Sequence, residues 1–331
     1  MTLGVMLGAS FRVLRRNPRP VVGFSLVIHA VLAIITILVS AVFAANALSK
    51  YLTDVSAGAF STEDLSNLLV AYVGSFVSAA FTYGGEAILQ GIITQEVARG
   101  TVGEKLPLSA LWARSRGRIL VLVGWAAAEI GVIFLVAVLL IGVFALLGAT
   151  GGSAGAAVGV LVLVLGILAA IVLGIWIGTR LSLVPSVLIL ERLTLGKAIR
   201  RSWGLVRGYF WRTFGIQLLV SVMIGIAASI AITPFTIIIG VLVSVSHPTG
   251  AETAGAAFAS TYTLTQIVTT IVSSLIATIT AIVSTSVTAL IYIDLRMRKE
   301  GLDLALMRFV DARQAGNADV PDPYLPAPSQ T

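Results

Sequence analysis

The chain has 331 residues, of which 57% are hydrophobic and 11% charged, with a formal net charge of +7. A soluble domain carries about 25% charged residues, so this composition excludes an ordinary soluble protein and points to an integral membrane one. There is no cysteine, and His29 and His247 are the only histidines. Disulfides, thiol chemistry, Cys-ligated metal and a His-built metal or hydrolytic site are therefore excluded, and no cofactor is expected.

In chain order, residues 1–20 read as a basic interfacial helix. Six apolar runs follow, at 21–48, 65–95, 119–147, 156–190, 214–245 and 262–293. Each exceeds the ~18 residues that a membrane helix needs. Alternation of the kind a β-barrel requires is absent, so the fold class is all-α: a polytopic protein with a six-helix membrane domain over 21–295. Further interfacial helices are expected near 106–117 and 194–210. Residues 296–314 read as an amphipathic segment with Leu302, Leu306 and Phe309 at helical spacing, and 315–331 as a disordered Pro-, Ala- and Asp-rich tail. The first run is too long for a signal-peptide core and is read as retained.

Twenty of the 22 basic residues fall in the N-terminal arm, the second and fourth connections and the tail; Lys50 and Arg180 are the exceptions. The excess of positive charge on one side places both termini in the cytoplasm. The net charge is thus a topology signal, and nucleic acid is a poor partner for it.

Three segments begin alike. They are Leu7-Gly8-Ala9-Ser10-Phe11-Arg12, Leu108-Ser109-Ala110-Leu111-Trp112 with Arg114, and Leu195-Gly196-Lys197-Ala198-Ile199-Arg200-Arg201. The even runs also end alike, at Glu96 with Arg99, Glu191 with Arg192 and Asp294 with Arg296. The chain therefore reads as three units, each a short amphipathic helix followed by a helical hairpin. In the third short helix Ile199, Trp203 and Val206 share one side. Arg15, Arg16, Arg114, Arg116, Arg200, Arg201 and Arg207 are the candidates for contact with anionic lipid headgroups.

Glu86, Glu129 and Arg180 are the ionisable groups inside the runs. Counted at 1.5 Å per residue, all three lie about 15 Å from the basic boundary. One arginine facing two carboxylates is the expected arrangement, supported by Tyr83 and Gln90 on the Glu86 face. Two roles are open: a static staple, or a polar site for a substrate or proton.

Two stretches carry a family resemblance. Arg200-Arg201-Ser202-Trp203-Gly204-Leu205-Val206-Arg207-Gly208 with Phe210-Trp211-Arg212-Thr213-Phe214-Gly215-Ile216 is one. Tyr292-Ile293-Asp294-Leu295-Arg296-Met297-Arg298-Lys299-Glu300-Gly301-Leu302-Asp303 is the other. Both resemble bacterial multi-pass proteins labelled glycerophosphoryl diester phosphodiesterase membrane-domain-like. The resemblance implies a bacterial inner-membrane location. It implies no hydrolysis, because a catalytic barrel of roughly 250 residues has no place in this sequence and no catalytic residue carries over. The first functional expectation is a non-enzymatic component that organises or regulates a membrane partner in envelope or lipid-linked processes. The alternative is a small transporter or lipid-handling protein using the Glu86, Glu129 and Arg180 region; a membrane-embedded hydrolase is the weakest of the three.

Overall fold

Lipid offers no water to unpaired backbone groups, so a chain this apolar satisfies them within helices. The computed structural model describes residues 3–43, 62–246, 254–317 and 320–325, and these hold helices and their connections with no strand. The helices are α1 (Leu3–Arg16), α2 (Phe24–Phe43), α3 (Thr62–Thr101), α4 (Leu108–Leu181), α5 (Val184–Leu190), α6 (Leu195–Val206), α7 (Phe210–Ser246), α8 (Ala254–Glu300) and α9 (Leu302–Gln314). Among them, five segments are long and apolar enough to cross a membrane: Val21–Val39, Leu108–Gly148, Ala157–Leu190, Phe210–Val241 and Ile267–Glu300. The expected second span forms a helix, α3, but is less apolar than these. Tyr83, Gly84, Gly85, Glu86 and Gln90 dilute its hydrophobic character.

Local chemistry sets the boundaries. Pro18 and Pro20 lack the N–H groups needed to continue α1, and a π-turn at Arg19–Gly23 leads into α2. The helix of the fourth apolar run stops at Leu181, and Pro185 sits in the first turn of the short helix that follows, where a missing N–H costs nothing. Gly301, at φ 65°, makes the left-handed turn from α8 into α9.

Helix α4 has 74 residues and would span roughly 110 Å if straight. It is not straight. A methyl group added to Gly166 would collide with Leu140, and one added to Gly159 would come within 3.2 Å of Phe144. Residues 140–147 therefore pack on 155–166, and the helical chain doubles back between them as the hairpin of the third and fourth apolar runs. The close spacing uses Gly155 and Gly159, whereas Gly174 meets open space.

Helices α3 and α8 are central: α3 packs on α2, α4, α5 and α8, and α8 on α1, α2, α3, α7 and α9. The buried core lies toward the charged end, where Ile93, Val97, Leu122, Leu188, Leu205, Leu290 and Ile293 meet. Farther out, α4 and α7 expose Leu139, Leu165, Val172, Ile230 and Ile237. Lipid tails solvate such side chains as well as a protein core would.

Two expectations need correction. The segment near 106–117 is not a separate short helix but the first turns of α4, since no proline follows Pro107 until Pro185. In α6, Ala198, Ser202, Leu205 and Val206 are buried, and Ile199 and Trp203 on the Val206 side are half-buried. The tail is ordered over 320–325, where Tyr324 is 1% exposed. Its aromatic ring supplies the burial that the composition of the tail as a whole lacks. Residues 326–331 lie outside the described part. Leu302, Leu306 and Phe309 do form the buried stripe of α9, as their spacing indicates.

The hairpin packing predicts a paired result. Gly166→Leu forces a side chain into Leu140 and is expected to cost about 1–3 kcal/mol, read as a lower thermal midpoint of the detergent-purified protein. Gly174→Leu enters open space and should leave the midpoint unchanged.

Candidate functional site

At the charged end, α5, α6 and α8 converge on a closed ring of side chains. Glu191, 3% exposed, follows α5. Its carboxylate accepts from Arg201 Nε at 2.9 Å and from the Tyr292 hydroxyl at 2.8 Å. Tyr292 in turn accepts from Arg296 Nη1 at 2.9 Å. Arg296 Nε reaches Glu300 at 3.0 Å, and Glu300 closes the ring on Arg201 at 2.6 Å. Two guanidinium groups thus face two carboxylates around one hydroxyl. Burial by itself works against the charged form of Arg201, but hydrogen bonds and charge from Glu300 and Glu191 outweigh it and hold the group above its ordinary range. Beside the ring, Asp294, also buried, takes Arg298 at 2.9 Å and Arg212 at 3.1 Å.

The ring continues to the other helix ends through the tail. Arg296 Nη1 donates to the Tyr324 carbonyl at 2.9 Å, and the Tyr324 hydroxyl donates to the Ala98 carbonyl at 3.0 Å. Burial pushes the Tyr324 hydroxyl up to about 12, so it stays a neutral donor. Asp322 pairs with Arg99, which also faces Glu104 at 3.6 Å. Arg16 donates to the carbonyls of Gly100 and Glu104 at 2.6 and 2.9 Å, tying α1 to the end of α3. Glu96 is 2% exposed. Its Oε1 takes a long bond of 3.4 Å from Asn17, and its Oε2 has no partner. Burial pushes its carboxyl above the usual range, against the hydrogen bond from Asn17 and the charges of Arg16 and Lys105.

One or two turns from this ring lies a cavity of about 290 Å³. Gln90 and Thr94 of α3, Glu129 and Ser182 on or next to α4, Ser186 of α5 and Ser284, Thr285 and Thr288 of α8 supply its polar wall. Thr94 and Ser186 are buried at its floor, whereas Glu129 and Gly178 are exposed, so the cavity opens on the α4 side. Thr288 satisfies its hydroxyl hydrogen on the Ser284 carbonyl at 3.0 Å. The result is an amide, hydroxyls and one carboxylate gathered within an apolar helical wall.

The three intramembrane charges do not meet as expected. Among the described residues no ion pair joins Arg180 to Glu86 or Glu129. The Arg180 guanidinium lies 4.5 Å from the Trp203 ring centre and 5.0 Å from that of Trp176, an aromatic clamp that stabilises a cation without a carboxylate. Its carbonyl accepts from Ser202 Oγ at 2.7 Å, which fixes α6 against the end of α4. Glu86 is half-buried and lies near His29 of α2. Glu129 stands apart in the cavity, with Trp125 one turn away within hydrogen-bonding reach. Gln90 shares the cavity with Glu129, whereas Tyr83 is exposed.

The candidate headgroup arginines divide. Arg16 and Arg201 are taken by internal partners, which corrects their assignment. Arg116, Arg200 and Arg207 are exposed and Arg114 is half-buried, while the side chain of Arg15 lies outside the described residues. Sequence reasoning missed Tyr292, Glu300, Asp322 and Tyr324. The matched acidic ends Glu96, Glu191 and Asp294 were the available signal, because an acid at a span's end needs a partner.

A family model described as a domain of unknown function (DUF7847) matches residues 97–295. The chain belongs to the DUF7847 family. No curated protein and no solved structure matches it. The DUF7847 region holds Glu129, Arg180, Glu191, Arg201 and Tyr292, hence most of the ring and all of the cavity lining except Gln90 and Thr94. Gln90, Arg296, Glu300 and the tail lie outside it.

The ring makes a quantitative prediction. Glu191→Leu leaves the buried Arg296 and the half-buried Arg201 facing Glu300 alone and is expected to cost about 3–5 kcal/mol, measured as the thermal midpoint in detergent. Glu191→Leu combined with Arg201→Met removes both charges and should recover part of the loss.

Proposed function

We infer that this is a non-enzymatic multi-pass membrane protein that holds the polar end of an amphipathic molecule in the cavity beside Glu129. The observation that carries this reading is the cavity itself. In a bilayer, polar side chains turned toward lipid are costly, yet Gln90, Thr94, Ser182, Ser186, Ser284, Thr285 and Thr288 line one space with a carboxylate. The volume of about 290 Å³ suits a small headgroup and leaves acyl chains outside, against the apolar surfaces of α4 and α7. Of the functions the sequence left open, lipid handling or small-molecule transport fits this geometry better than a scaffold for a partner protein.

The finer topology belongs to the same proposal. With α3 as the sixth membrane helix, the chain makes three helical hairpins with both termini on the cytoplasmic side of a bacterial inner membrane. The gathering of arginines at one end of the helices supports that orientation. The resemblance to glycerophosphoryl diester phosphodiesterase membrane-domain-like proteins supports the lipid-linked setting.

The reading is tested by purifying the full chain from native membranes and identifying bound lipids and proteins by mass spectrometry. One amphiphile at near-stoichiometric yield is expected, falling about tenfold in Glu129→Gln, which keeps size and polarity but removes the charge. A specific protein complex without an enriched lipid would return the reading to a scaffold.

A further inference from the structure

Arg180, in the last turn of α4, is held by rings and not by acceptors. The Trp203 ring centre is 4.5 Å from its guanidinium and the Trp176 ring centre 5.0 Å. The two indoles meet edge to face, 5.5 Å apart at 85°. Their π faces attract the cation but leave its N–H donors unpaired. Nε is buried without a partner, and among the described residues no hydrogen bond or ion pair reaches the guanidinium. The side chain as a whole is half-buried, so its terminal nitrogens are open to a ligand.

The clamp lies at the charged end of the bundle. Ser202 Oγ donates to the Arg180 carbonyl at 2.7 Å. Two residues along α6, the Gly204 carbonyl accepts Lys299 Nζ at 2.7 Å, and the Arg207 carbonyl accepts it at the same distance. Arg180 is thereby tied to the level of the last turn of α8, near the exposed Lys197, Arg200 and Arg207 of the α6 segment. A straight-helix count from Glu191 puts it deeper because it leaves out α6, which packs back on both α4 and α5. Away from α6 the surface is apolar: Val172, Leu173 and Ile177 are exposed, and Trp176 is 41% exposed. Gly178, Leu181 and Ser182 line the Glu129 cavity, and Arg180 leaves the helix about 100–200° around from them.

We propose that Arg180, clamped by Trp176 and Trp203, binds the phosphate of a membrane phospholipid whose acyl chains lie along the apolar surface of α4. Guanidinium N–H groups match phosphate oxygens in pairs, which supplies the acceptors that the indoles lack. A planar group already stacked between rings loses little freedom on binding. The site borders exposed basic residues on one side and exposed apolar ones on the other, which is the arrangement of a phospholipid: anion at the boundary, chains beyond it. A soluble phosphate has nothing to place on the apolar side. This site is separate from the Glu129 cavity and does not depend on the function proposed for it.

The test uses the full chain, purified in detergent and stripped of lipid, then titrated with dioleoylphosphatidylglycerol and read by native mass spectrometry. Dioleoylglycerol, with the same chains and no phosphate, is the comparison. The wild type should retain a first phosphatidylglycerol at about tenfold lower concentration than dioleoylglycerol, the worth of one charge-assisted bond. Arg180→Gln should lose most of that preference with dioleoylglycerol binding unchanged. Arg116→Gln, which removes an exposed arginine elsewhere on α4, should keep it. If Arg180→Gln does not fold, Arg180→Lys serves: it keeps the charge but not the stacked, paired donors, and its preference should fall below that of the wild type. Inorganic phosphate should displace no more lipid than chloride at equal ionic strength. The proposal is overturned by equal retention of the two lipids in the wild type, by a wild-type preference in Arg180→Gln or Arg180→Lys, by an equal loss in Arg116→Gln, or by specific displacement with inorganic phosphate.

Discussion

Charge carried to the end of an apolar helix must find opposite charge before it leaves water, or the helix will not pack there. The ring of Glu191, Arg201, Glu300, Arg296 and Tyr292 meets that constraint. Its members come from the end of α5, the middle of α6 and the last turns of α8, so forming it fixes three helix ends at once. The apolar core then closes around it: Leu188, Ile189, Leu205 and Ile293 are all buried next to ring residues. Farther from the ring the helices diverge and leave their side chains to lipid. Packing is dense where charges must be matched and loose where the solvent is itself apolar.

The cavity follows from the same geometry. Thr94 lies two residues before Glu96, Ser186 five before Glu191 and Thr288 six before Asp294. Each even run therefore brings a small polar residue within two turns of its acidic end. Once the acids are gathered at one level, those residues face one another at the next. The α4–α5 break contributes as well. Stopping the helix at Leu181 and restarting it at Val184 turns Ser182 and Ser186 into the wall that a continuous helix would have closed.

Much of this was legible in the sequence and some was not, for identifiable reasons. Hydropathy found the helices, and the recurring acids at Glu96, Glu191 and Asp294 marked the charged end. Depth arithmetic put Glu86, Glu129 and Arg180 at one level, but depth does not fix the direction a side chain takes around its helix, and successive residues differ by about 100°. Trp176, four residues before Arg180, and Trp203 on α6 offered the guanidinium an aromatic partner that a search for carboxylates overlooks. The tail reads as disordered because its composition is averaged over many residues, whereas docking needs one ring and one acid. The α4 hairpin, by contrast, is legible without a proline: the gap between the apolar runs 119–147 and 156–190 marks the reversal even though helical conformation continues through it.

The ring also joins the cavity to the tail. Arg296 belongs to the ring through Tyr292 and Glu300 and to the tail through the Tyr324 carbonyl. Tyr292 sits one turn beyond Thr288, a cavity residue on the same helix. One helix and one buried arginine thus run from the cavity to the tail. Helical segments of this kind transmit small displacements because their packed ends have few alternative arrangements. The tail is fixed there by the Asp322–Arg99 pair, by the Tyr324 hydroxyl on Ala98 and Thr101, and by the Arg296 bond to its carbonyl.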